Sequence, residues 1–273
     1  MPLTRFIKSR AQTERFQDAF AAPAFLDIRT LSMSFESDPA VLAELLPPPL
    51  ELAPEPRVTV SVSEIGRSNC VGPFNGADVR VACLYRGDPG VYSLAMPMST
   101  DTAVIFGREL YAEPKKLAEI ELSVSESGHA RGRVTRHGIT YIELRGIFEE
   151  PLSTVARDYV THNYYVKFLP SADGRGFAHE PELVRVTHRG HTRRAASGNG
   201  TITFRESAHD PIIDIPVLSV AGATLSEGET HTSAEVVETI PTDVFLPYAF
   251  GKMDDLTAWA DVDSNTGELK LPQ

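Results

Sequence analysis

Residues 58–63 read Val-Thr-Val-Ser-Val-Ser. Successive side chains of an extended chain point to opposite faces, so strict apolar/polar alternation predicts a half-buried strand. Just upstream, Ser37-Asp38-Pro39 precedes the run AVLAELL. A capping side chain, a proline in the first turn and an apolar stripe predict a short helix there. Pro47-Pro48-Pro49 must end it, because proline lacks the N–H and clashes with the preceding turn. Period two then returns at Val79, Val81 and Cys83, and again where Leu122 and Val124 alternate with Ser123 and Ser125. Gly87-Asp88-Pro89-Gly90 predicts a turn into VYSLAM, and Arg133 to Ile147, broken at His137-Gly138, predicts a hairpin. Leu183–Thr187 and Thr201–Arg205 read as further short strands, Ser153–Phe168 as a second helix, and residues 1–24 as an arm or a short helix.

Short strands at regular spacing, separated by turns, predict a mainly β chain with a few helices, closed as an antiparallel barrel or paired as a sandwich. Closure or oligomerisation removes exposed strand edges. No shift in composition marks a linker, so residues 1–273 read as a single domain.

The 273 residues are 42% hydrophobic and 23% charged, enough to bury a sizeable core and too apolar for bulk disorder. A formal net charge of −11 argues against nucleic-acid and anionic-membrane partners, both of which need a basic surface. The chain has no long apolar run and no secretory pattern at its start, so a cytoplasmic location is expected. Two cysteines, Cys70 and Cys83, are too few for a disulfide framework or a zinc knuckle. His188 and His191 are spaced like a metal pair, but no third ligand is near and RVTHRGHTRR reads as a solvated loop, so no metal is expected. His209-Asp210 lacks the serine elbow of a hydrolase triad. No G-x-G-x-x-G or P-loop occurs, so no nucleotide cofactor is expected.

Lysine is scarce. Lys8, Lys115, Lys116, Lys167, Lys252 and Lys270 are all there are, and two of them stand side by side in GRELYAEPKKLAEIEL, residues 107–122. On composition such a pair is a solvated charge run. The alternative is a nucleophile. An amine attacks a carbonyl only when neutral, and burial or a neighbouring cation favours that form over the ordinary lysine value of about 10.4. Pro114 fixes its own φ and pushes Glu113 to an extended conformation, so the chain enters the lysines in a set direction. If residues 114–117 are extended, Lys115 and Lys116 face opposite sides. A helical turn would instead bring them within about 100° of each other.

The stretch GREL-x-x-x-PKKLA closely resembles the signature of the acetoacetate decarboxylase family. NYYVKFLPSADG, residues 163–174, and GNGTITFRESAHDPIIDIPV, residues 198–217, are similar to two later segments of the same family. The resemblance implies a closed, cone-shaped β barrel around the lysine, assembled into homo-oligomers. It also implies a cofactor-independent lyase acting on a small-molecule keto acid. Lys115 would be the imine-forming nucleophile and Lys116 its neighbouring cation. Arg29 would hold a carboxylate, and Glu113, Met98 and Phe74 would border the pocket, with Met96 in its wall. Arg108 and Glu109 read as an ion pair or as substrate contacts.

The sequence departs from the family at two acids. Gly76 and Ser61 stand where glutamates are expected, and Glu64, by strand alternation, faces away from Ser61. Decarboxylation and aldol or dehydration chemistry through an enamine both stay open. So does a non-catalytic ligand-binding barrel in which Lys115 is only the counter-ion of a carboxylate.

Overall fold

A computed structural model describes residues 4–258, 261–262 and 269–270. In chain order the elements are α1 (Arg10–Ala21), β1 (Ala24–Glu36), α2 (Pro39–Leu45), β2 (Leu50–Leu52), β3 (Arg57–Ser68), β4 (Phe74–Tyr85), β5 (Asp88–Met98) and α3 (Asp101–Tyr111). There follow β6 (Lys115–Leu117), β7 (Glu119–Val124), β8 (His129–Arg136), β9 (Ile139–Ile147), β10 (Ser153–Lys167), β11 (Glu182–Phe204), β12 (Ser219–Thr239) and α4 (Thr242–Ala249).

These strands form one 12-stranded sheet with the path β10-β5-β4-β3-β1-β12-β11-β9-β8-β7. A further pairing of β10 with β11 closes the first part of that path into a ring. The ring is antiparallel except at one seam, where β10 meets β5 in parallel at Asn163–Val91 and Tyr164–Tyr92. β11 is long enough to serve twice. Its first half pairs with β10 and its last residues, Asn199–Phe204, pair with β9.

The helix expected at 39–45 forms, with Asp38 Oδ1 accepting the Ala40 N–H. The hairpin forms too, with its turn at His137-Gly138, both at positive φ. Residues 10–21 become a helix that buries none of its side chains. Two expectations are overturned. Ser153–Phe168 is not a helix but strand β10, paired along its length with β11. Its Thr154, Val155, Val160, Thr161, Tyr164 and Tyr165 are strand formers, and the ring gives them a partner strand. RVTHRGHTRR is not a loop but the middle of β11. Gly190 is there for close approach rather than for a turn, since a Cβ on it would run into the Tyr159 ring on β10.

The two faces of the ring strands differ in chemistry. One face carries Leu31, Met33, Val60, Val62, Val79 and Val81, all fully buried, and part of it is covered by β7–β9. The other face carries Thr30 and Ser32 on β1, Ser61 and Ser63 on β3, and Asp78 and Arg80 on β4. Asp78, Arg80, Lys115 and His188 interact electrostatically although β4, β6 and β11 are not neighbours in the sheet. Their side chains therefore meet across the inside of the ring, which makes the polar face the inner one.

Candidate active site

The lysine pair is positioned by the end of α3. Thr100 caps the start of the helix by accepting the Ala103 N–H. At the other end Ala112 turns left-handed (φ 60°), and its N–H bonds back to the Arg108 carbonyl. Pro114 then starts an extended segment, and β6 lies parallel to β5 with Lys115 opposite Met96 and Lys116 opposite Pro97. Arg108 fastens this arrangement by donating to the carbonyls of Lys115 (3.0 Å) and Lys252 (3.1 Å). It is a strut between backbone segments, and no ion pair joins it to Glu109 among the described residues.

Being extended, β6 sends its two lysines to opposite faces. Lys115 projects inside the ring, where its side chain is 6% exposed and its Nζ lies 2.7 Å from Glu113 Oε2. Glu113 is buried to the same degree, and the approach is a charge contact rather than an aligned hydrogen bond. Gly107 makes room for both. A Cβ there would fall on Glu113 Oε2 and 2.5 Å from Lys115 Nζ, so the glycine of the GREL run is a packing requirement of the site. Lys116 leaves on the other side. Its Nζ donates to the His209 carbonyl (2.6 Å) and pairs with Asp210 (3.1 Å) and Asp254 (3.2 Å), which Arg136 also binds. The expectation of Lys116 as the cation beside Lys115 is therefore corrected. The charge against Lys115 is the carboxylate of Glu113.

The remaining sequence candidates divide. Met96 and Met98 lie on the lysine-bearing face, and Tyr165 Oη approaches Met96 Sδ at 3.5 Å. Phe74 shares that face, two residues from Gly76, and packs edge-on against Phe25. Arg29 is corrected. It has the strand parity of Leu31, which puts it on the outer face, paired at 3.0 Å with Glu227. Ser61 is buried on the inner face opposite Asp78. Gly76 also faces inward, but Met98 crowds it: a Cβ would meet Sδ at 3.0 Å.

Two polar groups inside the ring, Asp78 and Arg80, were not singled out from the sequence, and His188, read there as part of a solvated loop, joins them. Asp78 stands beside Arg80 (Oδ2 to Nε 3.5 Å), and burial raises its carboxyl to about 6 against the opposing pull of Arg80. His188 reaches in from β11. Burial, with Arg80 and Lys115 nearby, lowers it to about 4, so it is neutral at pH 7. Asp78 Oδ1, Arg80 Nε, Ser93 Oγ, Asn163 Oδ1 and His188 Nε2 are buried without a hydrogen-bond partner. Orphaned polar atoms of this kind are costly in an interior and cluster where a polar ligand binds. The available signal was parity, since Asp78 and Arg80 share the inward face of Gly76 in a strand of alternating valines.

Two cavities are notable, and Lys115 lines neither of them. One, of about 510 Å³, is mostly apolar and lies where β5 and β10 part beyond their short seam. Ser93, Pro114, Tyr165, Phe168, Phe245 and Lys252 are among the residues that line it. Lys252 sits 4.1 Å above the Phe168 ring, and burial with Arg108 nearby lowers it to about 8. The other, of about 670 Å³, is polar and is lined by Arg29, Glu64, Phe74, Asn75 and Glu227, among others. No cluster of side chains suited to a metal ion occurs among the described residues. Cys70 and Cys83 are free thiols, and no helix among the described residues is long and apolar enough to cross a membrane.

The sequence profile of the family described as acetoacetate decarboxylase matches residues 9–239. An acetoacetate decarboxylase of Ralstonia nicotianae is 28% identical over 208 residues, 73% of this chain and 81% of that protein. The crystal structure of acetoacetate decarboxylase from Legionella pneumophila superposes with a TM-score of 0.72 at 20% identity, covering 88% of this chain and 93% of that one. MppR, an enduracididine biosynthesis enzyme solved with the condensation product of pyruvate and imidazole 4-carboxaldehyde, superposes with a TM-score of 0.66 at 14% identity, covering 78% and 88%. The matched profile spans most of the chain, from α1 to the end of β12, and the ring of strands around Lys115 is the fold these relatives share: the chain belongs to the acetoacetate decarboxylase family.

Proposed function

We propose that the protein is a Schiff-base-forming lyase that acts on a keto acid, with Lys115 as the nucleophile. The observation that carries this reading is a buried amine inside the ring, with the carboxylate of Glu113 2.7 Å away. Glu113 can take a proton from the ammonium and return it as the carbonyl oxygen leaves as water, which is what formation of an imine requires. The resulting iminium is an electron sink. It accepts the electron pair released by loss of carbon dioxide, by retro-aldol cleavage or by loss of an α-proton, and the enamine it becomes can attack an aldehyde. Family membership supports lyase chemistry. Gly76 and Ser61, where the resemblance leads one to expect glutamates, together with the condensation product bound to MppR, favour carbon–carbon chemistry beyond simple decarboxylation.

A pure binding barrel would use Lys115 as a free cation for an anionic ligand. Its charge is already met by Glu113, so an incoming carboxylate would have to displace a buried ion pair.

The test is sodium borohydride reduction in the presence of pyruvate and of acetoacetate, followed by peptide mapping. The expected result is a reduced adduct on Lys115 that Lys115→Ala lacks. Folded protein that gives no adduct with a broad panel of keto acids would overturn the reading.

A further inference from the structure

Four strands carry one row of side chains across the inner face. Ser61 on β3 stands opposite Asp78 on β4. Gly76 opposite Met98 and Val79 opposite Ala95 set Asp78 opposite Met96 on β5, and Met96 stands opposite Lys115 on β6. Paired positions project to the same side of a sheet. Asp78 and Lys115 are thus two strand spacings apart, about 10 Å between backbones, and both side chains point into the space over Met96.

A substrate joined to Lys115 Nζ would extend from the face that Asp78 shares. Asp78 is the acid that borders it with a free valence. Its side chain is 14% exposed, its Oδ2 faces Arg80, and its Oδ1 is buried without a partner. Glu113 is engaged by the amine itself. An acid at position 76 would share the face of Asp78, but there the Met98 thioether occupies the room.

We propose that Asp78 is the acid–base group that moves the proton on the substrate carbon next to the imine. The inference rests on the imine reading above. In the forward step the Asp78 carboxylate takes the α-proton of the iminium. The C–H pair becomes the enamine double bond, the C=N pair returns to Lys115 Nζ, and Asp78 becomes a carboxylic acid. In the reverse step that acid delivers the proton to the enamine carbon, whether the enamine arose by deprotonation or by loss of carbon dioxide. Arg80 flanks the carboxyl group, with its Nε 3.5 Å from Oδ2.

The test uses the full-length protein in D2O with pyruvate as probe. Deuterium incorporation into the methyl group is followed by NMR, and a parallel sample is trapped with borohydride. In Asp78→Asn the Lys115 adduct should persist while exchange falls by about 100-fold or more. Asp78→Glu should recover part of the exchange. A folded Asp78→Asn that exchanges at the wild-type rate would overturn the proposal. So would one that exchanges poorly because it no longer traps the adduct, since Asp78 would then serve the amine rather than the carbon. If Asp78→Asn does not fold, Asp78→Ala with added formate replaces it: restored exchange supports the proposal and absence of rescue overturns it. Wild-type protein that traps no adduct would bring down the imine reading, and this inference with it, and is told apart by the trapping arm alone.

Discussion

Lys115 and Lys116 leave one three-residue strand on opposite faces, the first toward Glu113 inside the ring and the second toward Asp210 and Asp254. The second lysine is thus part of an ion cluster with Arg136 that anchors the segment around residue 254 to the barrel. Burial pushes the Asp254 carboxyl up, but hydrogen bonds from Arg136, His137 and Lys116 outweigh it and hold it well below the ordinary carboxylate range. Lys116→Met should cost about 2 kcal/mol in a denaturation experiment, less than a fully orphaned buried pair because Arg136 remains. Borohydride labelling of Lys115 should persist. Lost labelling with unchanged stability would show that Lys116 acts on the amine after all.

Gly107 lies inside α3, where alanine would ordinarily stabilise a helix by about 1 kcal/mol. Here the added methyl meets Glu113 Oε2 and Lys115 Nζ. Gly107→Ala should therefore reverse that sign and destabilise the protein by about 1–3 kcal/mol, as overpacking does, with loss of the Lys115 adduct. Thermal melts and labelling of the same sample check both. A stabilised, fully labelled variant would mean that the lysine and glutamate move apart freely.

Glu113→Gln keeps the shape of the side chain and removes the proton acceptor beside Lys115. Formation of the trapped adduct should slow by at least about tenfold at pH 7, and the melting temperature should fall because buried Lys115 loses its counter-charge. Time-resolved trapping against pyruvate measures it. An unchanged rate would assign the proton transfer to another group and leave Glu113 a structural partner of the lysine.

Much of this arrangement could be read before the fold was seen, and the exceptions share a cause. Short-range signals sufficed where the local chain decides: the Asp38 cap, the His137-Gly138 hairpin and the alternating valines of β3. They failed for β10 and for residues 188–191 of β11, where a partner strand far away in sequence decides the conformation. The site shows the same division. Lys115 and Glu113 are neighbours in sequence and were legible together, whereas the room that Gly107 leaves for them shows only in the packing. Asp78 and His188 reach the same chamber from β4 and β11, and only closure of the ring brings them there. Arg29 failed for a smaller reason. Its parity with Leu31 turns it outward, although it lies on a ring strand.

Asp78 and His188 also make opposite contributions to the pH dependence of stability. The Asp78 carboxyl is raised to about 6 in the folded state, chiefly by burial, and Arg80 and Ser93 offset only part of this. Between roughly pH 4 and pH 6 the folded protein holds a proton there that the unfolded chain has released, so this contribution is lost as pH rises through 6. His188 is lowered to about 4, again chiefly by burial. Between pH 4 and about 6.5 the unfolded chain holds the extra proton, so its contribution is lost as pH falls through 4. Over that window the two slopes largely cancel. Asp78→Asn should remove the first, so its stability relative to wild type should improve by about 2–3 kcal/mol between pH 4 and pH 7. His188→Gln should remove the second and move the other way over the same range. Urea unfolding at a series of pH values measures both, and parallel curves for wild type and variants would show that folding shifts neither pKa.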